Sequence, residues 1–186
     1  MINRDKALQL LDNNIHNQNL IKHMIATEAI MRSLAEKLDK DQELWRLTGL
    51  LHDLDFEQTK NSPEKHSLVT EQILREEGIV NQKLLQAIKS HNAEMTGQER
   101  KSDLDYALTA AEQISGLIVG CALVMPDKKL DSVTPETILK KFKQKSFTTN
   151  VNRELIRLCQ KLGFSLEDFA DLSLKAMQQI STDLGL

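Results

Sequence analysis

The sequence predicts an all-α fold, a helical bundle with a C-terminal helical extension. Three observations carry that reading. Apolar residues recur at intervals of three and four through most of the 186 residues. Seven glycines and three prolines leave little turn material for hairpins, and β-branched residues do not gather into strand-like runs. A chain that is 40% hydrophobic and 27% charged can bury an unaided core, so one domain is expected over residues 1–186, with a core at 17–125 and the extension at 126–186.

The elements follow in order, near 4–13, 17–38, 41–54, 63–77, 81–91, 103–125, 135–145, 149–162 and 166–184. In 17–38, Leu20, Met24, Ile30, Met31, Leu34 and Leu38 form the apolar stripe, with Lys22, Glu28, Arg32 and Glu36 mostly elsewhere on the wheel. Ser62-Pro63 and Thr134-Pro135 each read as an N-cap followed by a first helical residue, because orphan N–H groups want a side-chain oxygen and proline lacks a donor to lose. Ser165 with Asp168 has capping-box spacing, and Gly78 and Gly163 stand where a left-handed C-terminal residue is wanted. The stretch 92–102, NAEMTGQERKS, reads as a flexible connection, and 126–134 as a shorter one.

Composition excludes several classes. The two cysteines, Cys121 and Cys159, lie in apolar helical contexts without CxxC spacing and read as buried thiols of a reducing compartment. No window reaches the roughly 18 apolar residues of a membrane span and no N-terminal leader pattern is seen, so a cytoplasmic protein without a membrane partner is expected. A net charge of -3 gives no general pull toward nucleic acid. Lys140, Lys141, Lys143 and Lys145, with Arg153 beyond, form a local basic cluster, read as a solvated helix face. Only Phe142 and Phe147 interleave it, too few aromatics for a base-stacking surface.

The informative residues are the histidines. Of five, His16 lies in a polar loop, NNIHNQN, and reads as solvated. His23 sits on the first long helix, His52-Asp53 ends the next, His66 follows Pro63, and His91 closes the fourth. An acid from 103–125 would complete a cage of imidazoles and carboxylates. Such a donor set without thiolates suits Zn, Mn, Fe, Co or Ni, and points to a catalytic rather than a structural ion.

These residues also carry a resemblance. The ordered stretches LIKHMIATEAIM around His23, LTGLLHDLDFE around His52 and Asp53, SPEKHSLVTEQIL around His66, AIKSHN around His91 and ALTAAEQISGL around Glu112 are similar to the HD-domain superfamily of metal-dependent phosphohydrolases. The likeness spans roughly 17–125, and the C-terminal part looks like the extension of an uncharacterised HDIG-like subgroup. It implies that His23, His52, Asp53 and Glu112 hold one divalent transition metal, and that His66 and His91 hold a second with Asp53 between them. Glu112 stands where the family has Asp, one methylene longer. Asp105, earlier on the same helix, is the substitute acid.

The expected function is hydrolysis of a small phosphate ester, a nucleotide mono- or diester, with His52 and Asp53 at the catalytic centre. The alternative is a catalytically weak ligand or nucleotide sensor that keeps the cage. Asp55 and Glu57 lie where some relatives carry an acid for proton transfer. Lys22 and Lys89, each preceding a cage histidine, are candidates for contact with phosphate.

Overall fold

The computed structural model describes residues 2–186, and over these it is all helix and turn, with no strand. Helices α1 (Arg4–Asn14), α2 (Gln18–Lys37) and α3 (Gln42–Leu51) begin on Asn3, Asn17 and Asp41, whose side chains each accept a first-turn N–H. Then come α4 (Phe56–Thr59), α5 (Leu68–Glu76), α6 (Gln82–His91), α7 (Ala93–Thr96) and α8 (Asp103–Leu123). A 3-10 turn at Leu130–Ser132 precedes α9 (Pro135–Phe142). Helix α10 (Arg153–Ile156) runs into a second 3-10 segment, Arg157–Leu162, and α11 (Leu166–Gln178) and α12 (Ser181–Leu184) close the chain.

Helices α2 and α8 form the centre. Helix α3 packs along α2, α6 covers one flank of α8, and α9, α10 and the following 3-10 segment cover another. Helix α11 spans α2, α8 and α9. One continuous apolar core results, with Met24, Ile30, Leu47, Leu50, Leu108, Ile114, Ile156, Phe169 and Met177 all at most 1% exposed. Helix α8 is the one described helix that is long and apolar enough to cross a membrane by length and composition, and 61% of its window is buried inside the protein.

Gly49 sets the spacing of α2 and α3. A Cβ there would stand 2.9 Å from the Thr27 carbonyl oxygen, 3.0 Å from the Glu28 nitrogen and 3.0 Å from Met31 Cγ. The two backbones therefore approach as closely as only glycine permits.

Several boundaries differ from the sequence expectation, each for a tertiary reason. Helix α3 stops at Leu51 rather than 54, because the Asp55 N–H bonds Thr70 Oγ1 and the chain turns through 52–55. Ser62-Pro63 does not open a helix. The Asn92 amide donates to the carbonyls of Pro63 and His66, and buried Ser67 adopts φ 74°, which no right-handed helix can include, so α5 starts only at Leu68. Between α9 and α10, the Arg153 guanidinium donates to the carbonyls of Gln144, Phe147, Thr148 and Val151, winding 143–152 into a loop instead of helix. That employment removes Arg153 from the basic cluster.

Segment 92–102 is ordered. It contains α7 and Arg100, which bonds Glu94, Thr109 and the His91 carbonyl. The reciprocal capping box lies at Ser102 and Asp105. Ser165 caps the Asp168 N–H, but its hydroxyl also donates to the Asp168 carboxylate, leaving that carboxylate off the cap backbone. Thr134-Pro135 opens α9 as expected, and Gly78 and Gly163 take positive φ.

Candidate metal centre

The turn after α3 answers why a histidine and an aspartate stand side by side. In an unbroken helix they would diverge by about 100°. Here His52 is the C-cap of α3 and Asp53 lies in the turn, so both face one point, beneath α2, α6 and α8. His23 enters from α2, His91 from the last residue of α6, Glu112 from α8, and His66 from the turn before α5.

Each imidazole is oriented through Nδ1. His52 donates from Nδ1 to the Gly49 carbonyl at 2.8 Å, and His91 to the Ile88 carbonyl at 2.5 Å. His66 donates to Asp55 Oδ1 at 2.8 Å. Ser115 gives its own proton to the Glu112 carbonyl, so its Oγ accepts from His23 Nδ1 at 3.0 Å. With Nδ1 protonated in all four rings, the neutral tautomer of each presents a bare Nε2 lone pair inward.

Those lone pairs meet at the Asp53 carboxylate. Oδ2 lies 3.9 Å from His23 Nε2 and 3.4 Å from His52 Nε2, while Oδ1 lies 3.2 Å from His66 Nε2 and 3.4 Å from His91 Nε2. His66 and His91 place their Nε2 atoms 3.1 Å apart. His52 is fully buried and its Nε2 has no hydrogen-bond partner. Ligand atoms of His23, His52 and Glu112 all fall within 4.8 Å of one another, as do those of Asp53, His66 and His91. Two donor groups thus share one carboxylate.

A set of electron-rich atoms aimed at each other is unfavourable by itself and favourable around a cation, so these residues fit divalent metal. The orphaned His52 Nε2 in particular has no other use in the fold. Asp55, held by the Thr70 N–H at 3.0 Å, supplies the carboxylate behind a ligand histidine that tunes such centres.

Charge follows the same pattern. Burial drives the His52 pKa down to about 3, so its ring is neutral at physiological pH. Burial raises Asp53, yet His52, His66 and His91 outweigh it and hold the carboxyl well below its usual range. Burial also lowers His66, but hydrogen bonds to Asp53 and Asp55 reverse this and raise it to about 10 in the metal-free protein. Glu112 is pushed up, chiefly by burial and also by Asp53, against the pull of His91.

The histidines and acids singled out in the sequence, His23, His52, Asp53, His66, His91 and Glu112, are all brought together. Asp105 is not: it caps α8 through the N–H groups of Lys101 and Ser102. His16 is exposed, and Glu57 accepts the backbone N–H groups of His16 and Asn17, away from the cage. The Lys89 ammonium is engaged by Glu71 at 3.1 Å. Ser115, Asn92 and Gln113 were not singled out. Gln113 donates to Glu112 Oε1 at 3.0 Å and accepts the Asn152 N–H at 2.7 Å, tying the acid to the C-terminal helices. Ser115, three residues beyond Glu112 on a helix, was the one with a sequence signal, since i,i+3 places both on one face.

An all-helical bundle in which two groups of imidazole and carboxylate donors meet at one aspartate has the donor chemistry of a metal centre. The comparison with known families agrees: the model described as HD domain matches residues 20–120, more than half of the chain, and the protein belongs to that family. No solved structure matches. HD domains bind divalent metals, and the cage above is where this chain would hold them.

Proposed function

We propose that this protein is a metal-dependent phosphohydrolase of the cytoplasm, acting on a small phosphate ester, with nucleotides as the substrate class. One observation carries the reading: four Nε2 atoms, each ring fixed through its Nδ1, surround a single ionised carboxylate, and that of buried His52 has no hydrogen-bond partner. HD-family membership supports it, since that family consists generally of hydrolases.

His23, His52, Asp53 and Glu112 would hold one ion, and His66, His91 and the other Asp53 oxygen a second. Divalent ions in that setting make water a stronger nucleophile near neutral pH and offset charge on a phosphoryl oxygen. The chain's own residues supply the rest. Asp53 stays ionised and fixes the spacing of the two groups. His52, buried and with its pKa lowered to about 3, is neutral and keeps its lone pair available at neutral pH. Asp55 and Ser115 hold the His66 and His23 rings in register, so the substrate meets a preorganised centre. Apolar residues of α2, α3 and α8 behind the cage exclude bulk water from its inner side.

The test is elemental analysis of purified protein followed by a screen of nucleotides and general phosphate esters with Mn, Co, Ni and Mg. Metal content with hydrolysis, both lost in a folded Asp53→Ala protein, is the expected result. Normal turnover by Asp53→Ala would overturn the proposal, and stabilisation by a nucleotide without any turnover would favour a sensor.

A further inference from the structure

One face of α8 leads from the cage to the C-terminal part of the chain. Gln113, Gly116 and Gly120 follow one another at three- and four-residue steps and share that face, beside Glu112. Segment 147–152 lies along it. A Cβ on Gly116 would meet Val151 Cγ2 at 3.3 Å, and one on Gly120 would clash with Thr148 Cγ2 and meet the Phe147 ring at 3.4 Å. The two missing side chains let the segment sit against the α8 backbone.

The segment is held there against local strain. Thr148 takes φ 45°, a left-handed conformation that is costly for a β-branched residue. The Arg153 guanidinium offsets that cost, donating to the Thr148 carbonyl at 2.8 Å and to its hydroxyl oxygen at 3.2 Å while it gathers the neighbouring carbonyls. At the end nearest the cage, the Asn152 N–H donates to Gln113 Oε1 at 2.7 Å. A backbone N–H can only donate, so the amide oxygen is committed to it, and the amide NH2 is left to donate to Glu112 Oε1 at 3.0 Å. Glutamate has one more side-chain torsion than aspartate. This bond arrests the swing of its carboxylate and still leaves lone pairs for a cation.

We infer, on the metal-centre reading above, that Gln113 is a positioning residue through which segment 147–152 sets the affinity of the His23, His52 and Glu112 group for its ion. The segment lies outside the part of the chain matched to the HD domain, so the C-terminal helices are more than an appendage to the centre. When the segment is seated, Asn152 orients the Gln113 amide and the amide holds Glu112 in place. When it lifts, the amide is free to turn and Glu112 loses its brace. The effect falls on one donor group. His66 and His91 are braced instead by Asp55, Asn92 and Arg100, through bonds that do not involve the segment.

The experiment uses the whole chain with isotope-labelled histidine, titrated with buffered zinc, so that the Nε2 resonances of His23, His52, His66 and His91 report coordination separately. Gln113→Met keeps the length and helix propensity of the side chain and removes both bonds. Gly120→Ala favours the helix but pushes Thr148 off its seat, about two turns from Glu112. Each should raise the free zinc that half-shifts His23 and His52 by about tenfold, the share of affinity carried by groups behind a ligand, and leave the midpoint of His66 and His91 in place. In the double variant Gly120→Ala should add nothing, because the tie it acts through is already gone. Without metal, the Asn152 amide should exchange with solvent faster in both single variants. Unmoved midpoints, a shift shared by all the cage imidazoles, or additive effects in the double variant would overturn the inference while zinc binding itself upheld the centre. A freed Asn152 amide in Gln113→Met, with zinc bound by no form of the protein, would instead sink the metal-centre reading and take the inference with it.

Discussion

Gly49→Ala is the sharpest test of how packing builds the centre. In a helix interior, alanine is ordinarily favoured over glycine by about 1 kcal/mol. Here the new methyl would lie 2.9–3.0 Å from the Thr27 oxygen, the Glu28 nitrogen and Met31 Cγ, against 3.4–4 Å for ordinary contact. Two of those atoms are backbone of α2, so α3 must retreat by about 0.5 Å, and such overpacking costs about 1–3 kcal/mol. The clash exceeds the propensity gain, for a net loss of about 1–2 kcal/mol. The retreat also moves His52, whose Nδ1 is held by the Gly49 carbonyl, away from His23, whose ring centroid lies 5.3 Å from that of His52. Chemical unfolding and metal content measure both effects. Gly116→Ala is the control for stability, since its methyl would meet only the Val151 side chain at 3.3 Å. Equal stability of the two variants, with undiminished metal in Gly49→Ala, would refute the argument.

Asp55→Asn should weaken metal binding by about 10–100-fold, with loss of the ion held by His66 and His91 before the other, because the carboxylate behind a ligand histidine carries that share of affinity; unchanged stoichiometry on dialysis would count against it. In the metal-free protein His66 is raised to about 10 and is protonated at neutral pH, so binding must expel about one proton and affinity must rise with pH; calorimetry in buffers of different ionisation enthalpy reads the release directly. Metal-free stability should peak near pH 6.5, the ordinary histidine value. Below it the depressed His52, about 3 when folded, withholds a proton that the unfolded chain binds, and stability falls by about 1.4 kcal/mol per pH unit, less where the raised Glu112 carboxyl takes up a proton that the unfolded chain does not. Above it stability falls as His66 loses, on the way to about 10, the proton that the folded state retains. A stability curve flat from pH 4 to 9 would contradict both shifts. Arg153→Ala should cost about 1.5–3 kcal/mol through lost charge-assisted bonds to the 143–152 loop, and Arg153→Lys should rescue little of it, since an ammonium cannot span several carbonyls; full stability of the lysine variant would show that the fork is dispensable.

How legible the centre was depended on the kind of contact. His23, His52, Asp53, His66, His91 and Glu112 could be selected because ligand chemistry is carried by residue type and ordered spacing, which survive any detail of packing. Their partners could not. Asp55 looked like a proton-transfer acid by position and instead holds His66 and the start of α5, a contact across 11 and 15 residues. Arg153 looked like part of a cationic face and instead gathers the carbonyls of its own loop.

The sequence by itself determined the helical class, the N-caps of α9 and α11, the apolar stripe of α2 and the membership of the donor set, because 3.6-residue periodicity, capping oxygens and imidazoles are local properties of the chain. Tertiary structure alone decided where α3 and α5 end and begin, and which oxygen of Asp53 serves which histidines. Those outcomes depend on atoms brought together from distant segments, such as Gly49 against Thr27 and Asn92 against Pro63, and no local pattern encodes the distance between them.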